Sequence, residues 1–125
     1  MIGRAVLPPN VHPLDHAYLA VLEDAVGADG ITEIVRAFLR ELPTLKREIG
    51  EAAKDCDTRR LRAALHTLSG AASGIGLAAC VAFSDTYRTH IDTGHAIDAS
   101  RLDSDLAQVL LEGTAALASI IKPPV

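Results

Sequence analysis

The apolar residues of segment 57–76 recur every three or four positions, and this spacing constrains the fold more than any other feature. At about 100° per residue they form one stripe along an α-helix, which other parts of the chain must cover. The stripe consists of Leu61, Leu65, Leu68, Ala72 and Ile75. Asp57 is a suitable N-cap before the stripe, and Gly76 is a suitable terminator after it. We therefore predict a helix from about Thr58 to Gly74.

Similar periodicity predicts four further helices, and no segment has the pattern of a strand. The five predicted helices cover approximately 14–26, 31–53, 58–74, 77–91 and 100–121. Pro43 should kink or break the second of these near Glu41, because proline removes an internal hydrogen bond. Long helices joined by short loops favour antiparallel neighbours. We predict an all-α fold, an up-down antiparallel four-helix bundle with an additional N-terminal helix.

The composition fits one helical domain. The chain has 125 residues, of which 49% are hydrophobic and 3% aromatic, as is typical of Ala/Leu-rich helix packing rather than of a β-sandwich. Residues 1–12 contain two prolines and no helical periodicity, so we expect a flexible arm or linker there and a bundle over 13–122. Cys56 and Cys80 lack CxxC or ligand spacing, which indicates two buried reduced thiols.

The distribution of charge and hydropathy excludes several classes of partner. The formal net charge is −4 with both signs interspersed, which argues against a nucleic-acid surface. The only dense basic cluster, Arg59, Arg60 and Arg62, has no aromatic residues between its members. No secretory apolar region follows Met1, and no stretch of 18 apolar residues occurs. We expect a monomeric, cytoplasmic protein without direct membrane insertion.

His66 lies on the polar side of the predicted 58–74 helix. A helical wheel places it roughly 140° from the centre of the apolar stripe, and therefore in solvent. Other small or basic residues share its side of the wheel: Arg59, Arg62, Ser69, Gly70 and Ser73. A glycine inside a helix costs about 1 kcal/mol relative to alanine. Gly70, one turn after His66, is best explained if another protein's backbone must approach the imidazole closely.

The run HTLSGAASGIGL, from His66 to Leu77, resembles the signature of histidine phosphotransfer (HPt) domains, H-x-L-K-G-[SA]-[SA]-x-x-[hydrophobic]-G-[AL]. The resemblance extends upstream through Phe38, Leu39 and Pro43 and covers roughly residues 13–120. It implies phosphorelay signal transduction, in which His66 accepts a phosphoryl group from, and donates it to, aspartates of receiver domains. The chain would then be a phosphotransfer intermediate rather than a free-standing catalyst, since it contains no kinase or ATP-binding motif.

Ser69 departs from the HPt pattern, because the family usually has lysine three residues after the histidine. In the family that lysine is understood to offset negative charge as the phosphoryl group and an acidic partner approach. We expect Arg62, one turn before His66, to supply part of the missing charge, with Arg59, Ser69 and Ser73 on the same partner-binding face. Arg62→Ala should then slow phosphotransfer much more than it lowers stability.

The resemblance also implies the partner and the source of the metal. A response-regulator receiver domain, a hybrid sensor histidine kinase or both would dock on the face around His66, with Leu14, Ala17 and Tyr18 as further candidates for contact. The chain is expected to have no cofactor and no metal site of its own. Mg²⁺ would be supplied by the receiver domain, as phosphoryl transfer from an aspartate requires positive charge at the phosphoryl oxygens.

Two alternatives remain open on the sequence alone. A phosphate-inactive HPt-like docking module could regulate a sensor kinase or another partner, and Ser69 favours this hypothesis. An ordinary helical scaffold, in which His66 is incidental, would leave the exposed Gly70 unexplained.

Overall fold

The computed structural model describes residues 11–121, which form four α-helices and no strand. The helices are α1 (His16–Lys54), α2 (Thr58–Gly74), α3 (Ala78–Asp92) and α4 (Ala99–Ala118). The all-α fold predicted from the sequence is confirmed. The predicted arm at 1–12 lies, except for its last two residues, outside the described part of the chain.

Gly27 divides α1 into two parts, residues 16–26 and 28–54, because its backbone is non-helical at φ 75° and ψ 170°. A positive φ of this kind favours glycine, which has no Cβ to clash with its own backbone. The first part corresponds to the additional N-terminal helix of the prediction. Pro43, by contrast, does not break the helix. Pro43 is exposed, so water can hydrate the carbonyl group that lacks an amide donor.

Aspartates begin three of the four helices. Asp15, Asp57 and Asp98 each accept a hydrogen bond from the backbone amide three residues later, at 3.0–3.1 Å. This side-chain cap satisfies one of the amides that have no partner within the first turn. The prediction that Asp57 caps the helix carrying His66 is confirmed.

Contacts between the helices establish an antiparallel bundle. Arg60, near the start of α2, pairs with Glu48 and Glu51 near the end of α1 at 3.4 Å. α2 packs on α1 and α3, and α4 closes the bundle by packing on α3 and α1. The predicted apolar stripe of α2 faces this core, since its five members are at most 2% exposed. α2 is therefore held in place along one whole side.

The N-terminal part of α1 packs over the turn between α2 and α3. The Asp15 amide donates to the Gly76 carbonyl at 2.8 Å, and the Tyr18 hydroxyl donates to the Gly74 carbonyl at 3.0 Å. Gly76 has φ +73°, and a Cβ there would lie 2.9 Å from Cγ of Leu19. Both the conformation and the close approach therefore require glycine at this turn.

Candidate functional site

His66 lies in the middle of α2 with its side chain in solvent. Two leucines close to it along the chain, Leu65 and Leu68, point to the opposite side of α2 and are completely buried. Because these two leucines anchor the backbone of α2 in the core, the imidazole is presented from a rigid support rather than from a loop. The exposure predicted from the helical wheel is confirmed.

Arg88 on α3 is the side chain that contacts the imidazole. Its Nη1 lies 3.3 Å from Nδ1 of His66. A guanidinium group has donors only, so the imidazole nitrogen that faces it acts as the acceptor. In a neutral imidazole the other ring nitrogen then carries the proton. The contact therefore selects one tautomer of His66 and brings a positive charge to the edge of the ring.

Arg62 is also near, but its guanidinium is bonded to Asp92 at the end of α3. Nε and Nη2 donate to the two carboxylate oxygens at 2.8 and 3.1 Å. These hydrogen bonds lower the pKa of Asp92 and raise the pKa of Arg62. That Arg62 supplies positive charge beside His66 stays a prediction. Arg62 would have to leave Asp92 or to act while still paired with it.

The flank beside His66 is open. In the described part of the molecule, no heavy atom outside the local helix backbone lies within 4 Å of the position that a Cβ on Gly70 would occupy. Arg59, Gly70 and Ser73 are exposed, and Ser69 is half-buried. All of the residues expected beside His66 thus lie on accessible or partly accessible surface of α2.

A shallow groove continues from this face past the end of α2. It is lined by Ser73, Tyr18 and Val81, among other residues. Ala17 and Tyr18 are exposed and available to a docked partner. Leu14 is only 4% exposed, so the expectation that it belongs to the docking face is wrong. Its side chain instead anchors the N-terminal part of α1 in the core.

Arg88 is the residue that the sequence analysis missed. The turn between α2 and α3 spans residues 75–77, and the contacts across the two antiparallel helices are symmetric about its last residue, Leu77. His66 and Arg88 are each 11 positions from Leu77, and Arg62 and Asp92 are each 15 positions from it. Counting outward from the turn could therefore have identified both pairs.

Within the described residues there is neither a candidate metal cluster nor a helix suited to a membrane. Across 11–121, no group of three or more His, Cys, Asp or Glu side chains is placed to hold a metal ion. None of the helices in the same part of the chain is long and apolar enough to cross a membrane.

The site thus consists of an exposed histidine on a helix, with a cation at the edge of its ring and an open flank. The family model of the Hpt domain matches residues 33–119. The chain therefore belongs to the Hpt domain family, whose members carry out histidine phosphotransfer in phosphorelay, or two-component, signalling and interact there with receiver domains and kinases. Searches of curated proteins and of solved structures found no match.

The matched range begins inside the second part of α1. It contains His66, Arg88 and the whole of α2 and α3, and it leaves the N-terminal part of α1 outside. The resemblance seen in the sequence over roughly residues 13–120 is thus confirmed for residues 33–119.

Proposed function

We propose that His66 is the phosphoacceptor of this domain and passes a phosphoryl group to and from aspartates of response-regulator receiver domains. The observation that carries the proposal is the exposed position of His66 on α2, inside the range that matches the Hpt family. The open flank at Gly70 supports it, because a partner can bring its own backbone up to the imidazole there.

The other histidines in the matched range are poorer candidates. His90 is half-buried, with its ring centroid 5.0 Å from that of His95. Nδ1 of His95 lies 2.7 Å from the Thr93 hydroxyl in the loop after α3. His90 is in the last turn of α3 and His95 follows that helix, so both rings lie at the end of α3 that contains Asp92 rather than beside Gly70. A partner centred on His66 would not reach them in the same way.

The chemistry required of the domain is limited. A neutral imidazole is a nucleophile at pH 7 without a separate general base, and phosphoryl transfer depends on in-line geometry and positive charge at the transferring oxygens. The receiver domain is expected to bring the aspartyl phosphate and Mg²⁺. A cytoplasmic location and a hybrid sensor histidine kinase as a further partner belong to the same proposal.

The test is to incubate the full chain with a phosphorylated receiver domain and Mg²⁺. We expect label that is labile in acid and stable in base on the wild type, and none on His66→Gln. His95→Gln is the matched control, because it removes another exposed histidine within the matched range, and it should be labelled like the wild type. Label that persists on His66→Gln would overturn the assignment of the phosphoacceptor.

The second candidate function is a phosphate-inactive docking module that regulates a sensor kinase or another partner. Ser69, in the place of the family's usual lysine, is the observation that favours it. Wild-type protein that binds several receiver domains and takes label from none of them would support this function against the first.

A further inference from the structure

We propose that Arg88 supplies the positive charge that acts on the phosphoryl group at His66, and that it does so by leaving the imidazole nitrogen it holds in the resting protein. The inference rests on the proposed function of His66 as phosphoacceptor. It assigns to α3 the cation that the HPt signature places on the helix of the histidine, where this chain has Ser69.

The donor chemistry of Arg88 shows why it has to move. While its Nη1 donates to Nδ1 of His66, the lone pair of that nitrogen is occupied, and the other nitrogen of a neutral ring carries the proton. Neither nitrogen then has a free lone pair for attack on phosphorus. The contact with Arg88 therefore blocks the nucleophile, and phosphoryl transfer requires that Arg88 move away from the imidazole.

Release makes one lone pair available. The nitrogen that attacks is either the one that Arg88 has left or, after the ring proton has moved through water, the other one. Its lone pair forms the N–P bond while the P–O bond to the aspartate breaks, and the electron pair of that bond returns to the carboxylate. The imidazole keeps its N–H during the attack and afterwards loses that proton to water.

The released guanidinium is already beside the phosphoryl group. Arginine binds phosphoryl oxygens well because its planar donors match two oxygens at once. The oxygens become the strongest acceptors near the ring when a phosphorylated partner docks. Arg88 would therefore exchange a single contact with a neutral imidazole for charge-assisted contacts with an anion.

Arg88 is less firmly held than Arg62. Arg62 donates two hydrogen bonds to Asp92, whereas Arg88 lies 3.8 Å from the Asp85 carboxylate, which is too far for a hydrogen bond. The Nε atom of Arg88 is buried and has no hydrogen-bond partner within the described residues. Arg88 thus has unused donor capacity in the resting protein, and on turning it gives up the 3.3 Å contact with His66 and the 3.8 Å ion pair with Asp85.

Ser69 cannot take over this role. Its hydroxyl is neutral, and the residue is half-buried on α2. A side chain from α3 approaches the imidazole from across the α2–α3 interface instead. The site then depends on two helices rather than on one.

The resting contact is tested by the tautomer of His66, read from the ¹⁵N shifts of the ring in the full chain. We expect one dominant neutral tautomer in the wild type and a mixture of both in Arg88→Ala. The same tautomer ratio in the two proteins would show that Arg88 does not hold the ring. This measurement needs no phosphate, so it is independent of the proposed function.

The charge is tested by transfer rates from a phosphorylated receiver domain. Removing one preorganised hydrogen-bond donor lowers the reaction rate about 100-fold or more in enclosed active sites. At this exposed site we expect Arg88→Ala and Arg88→Gln to lower the transfer rate at least about tenfold. Arg88→Lys keeps the charge and should recover part of the rate. Arg47→Ala, which removes an exposed arginine on α1, should leave it unchanged.

Arg62→Ala distinguishes the two candidate cations. We expect Arg62→Ala to lower the transfer rate less than Arg88→Ala does. A large loss of rate in Arg62→Ala together with a wild-type rate in Arg88→Gln would overturn the proposal and assign the charge to Arg62. Wild-type protein that takes up no label would overturn the proposed function together with the charge role. Labelled wild type with an unchanged rate in Arg88→Ala would overturn the charge role alone.

Discussion

Replacing Gly70 with alanine should make the protein more stable and its phosphotransfer slower. Gly70 lies inside α2 on the exposed side, one turn after His66. A Cβ at this position would have no neighbour within 4 Å among residues 11–121, apart from the local helix backbone. Glycine costs about 0.5–1 kcal/mol relative to alanine in a helix interior. Since no clash offsets the gain, the free energy of unfolding should rise by about that amount, and Tm by about 2–5 °C for a domain of this size.

The same methyl group should impair the complex with a receiver domain. If the partner's backbone packs directly on Gly70, an added Cβ overpacks the interface. Overpacking of one methylene typically costs about 1–3 kcal/mol, and a penalty near the lower end corresponds to about a tenfold loss of affinity. Gly70→Leu, with a larger side chain, should reduce transfer further while the helix remains folded.

Gly50→Ala is the matched control. Gly50 is also inside a helix, and its Cβ would meet Oδ1 of Asp103 at an ordinary 3.5 Å. It lies in the groove between α1 and α4, away from His66. Thermal unfolding should show similar stabilisation in both variants, and transfer should slow in Gly70→Ala only. Transfer by Gly70→Ala at the wild-type rate would refute the idea that the glycine serves close approach.

Three further predictions concern the bundle itself. Leu65→Ala should lower the free energy of unfolding by about 2–5 kcal/mol in urea titrations, because Leu65 is fully buried under His66. Cys56 is exposed, so the expectation that both thiols are buried is wrong. In the native protein one thiol, that of Cys56, should react with a disulfide reagent, and two should react in urea, since Cys80 is buried and burial raises its pKa to about 12. Because Arg62 lowers the pKa of Asp92, the pair stabilises the fold above the unfolded pKa of an aspartate. The stability difference between wild type and Asp92→Asn should therefore shrink as the pH falls below about 4.

The parts of the site that depend on one helix could be predicted from the sequence. The stripe that faces the core, the cap at Asp57, the exposure of His66 and the open flank at Gly70 all follow from positions along α2. Each depends on the 100° rotation per residue and on local hydrogen bonds, which do not change with the packing of other helices. This is why the prediction of α2 needed no correction.

The parts that depend on two helices could not be predicted in the same way. Arg62 has the spacing to reach His66 within α2, yet it bonds to Asp92 on α3 at 2.8 Å. A long arginine side chain selects the better acceptor within reach, and a carboxylate is a stronger partner than a neutral ring. The burial of Leu14 could not be predicted for a related reason, since it depends on how the N-terminal part of α1 packs over the α2–α3 turn.

The register between α2 and α3 therefore matters for the chemistry as well as for stability. With the cation on α3, the distance between Arg88 and His66 is set by the turn at Gly76, 10 residues along the chain from His66. At that turn the N-terminal part of α1 is bonded to the Gly76 carbonyl, and Leu19 fills the space where a Cβ would be. A side chain at position 76 would displace Leu19 or alter the positive φ, and either change would disturb the turn that joins α2 to α3. Phosphoryl transfer tolerates little misplacement of a catalytic group. If Arg88 acts as we propose, the N-terminal part of α1, although outside the range that matches the family, would therefore help to hold its charge at the imidazole.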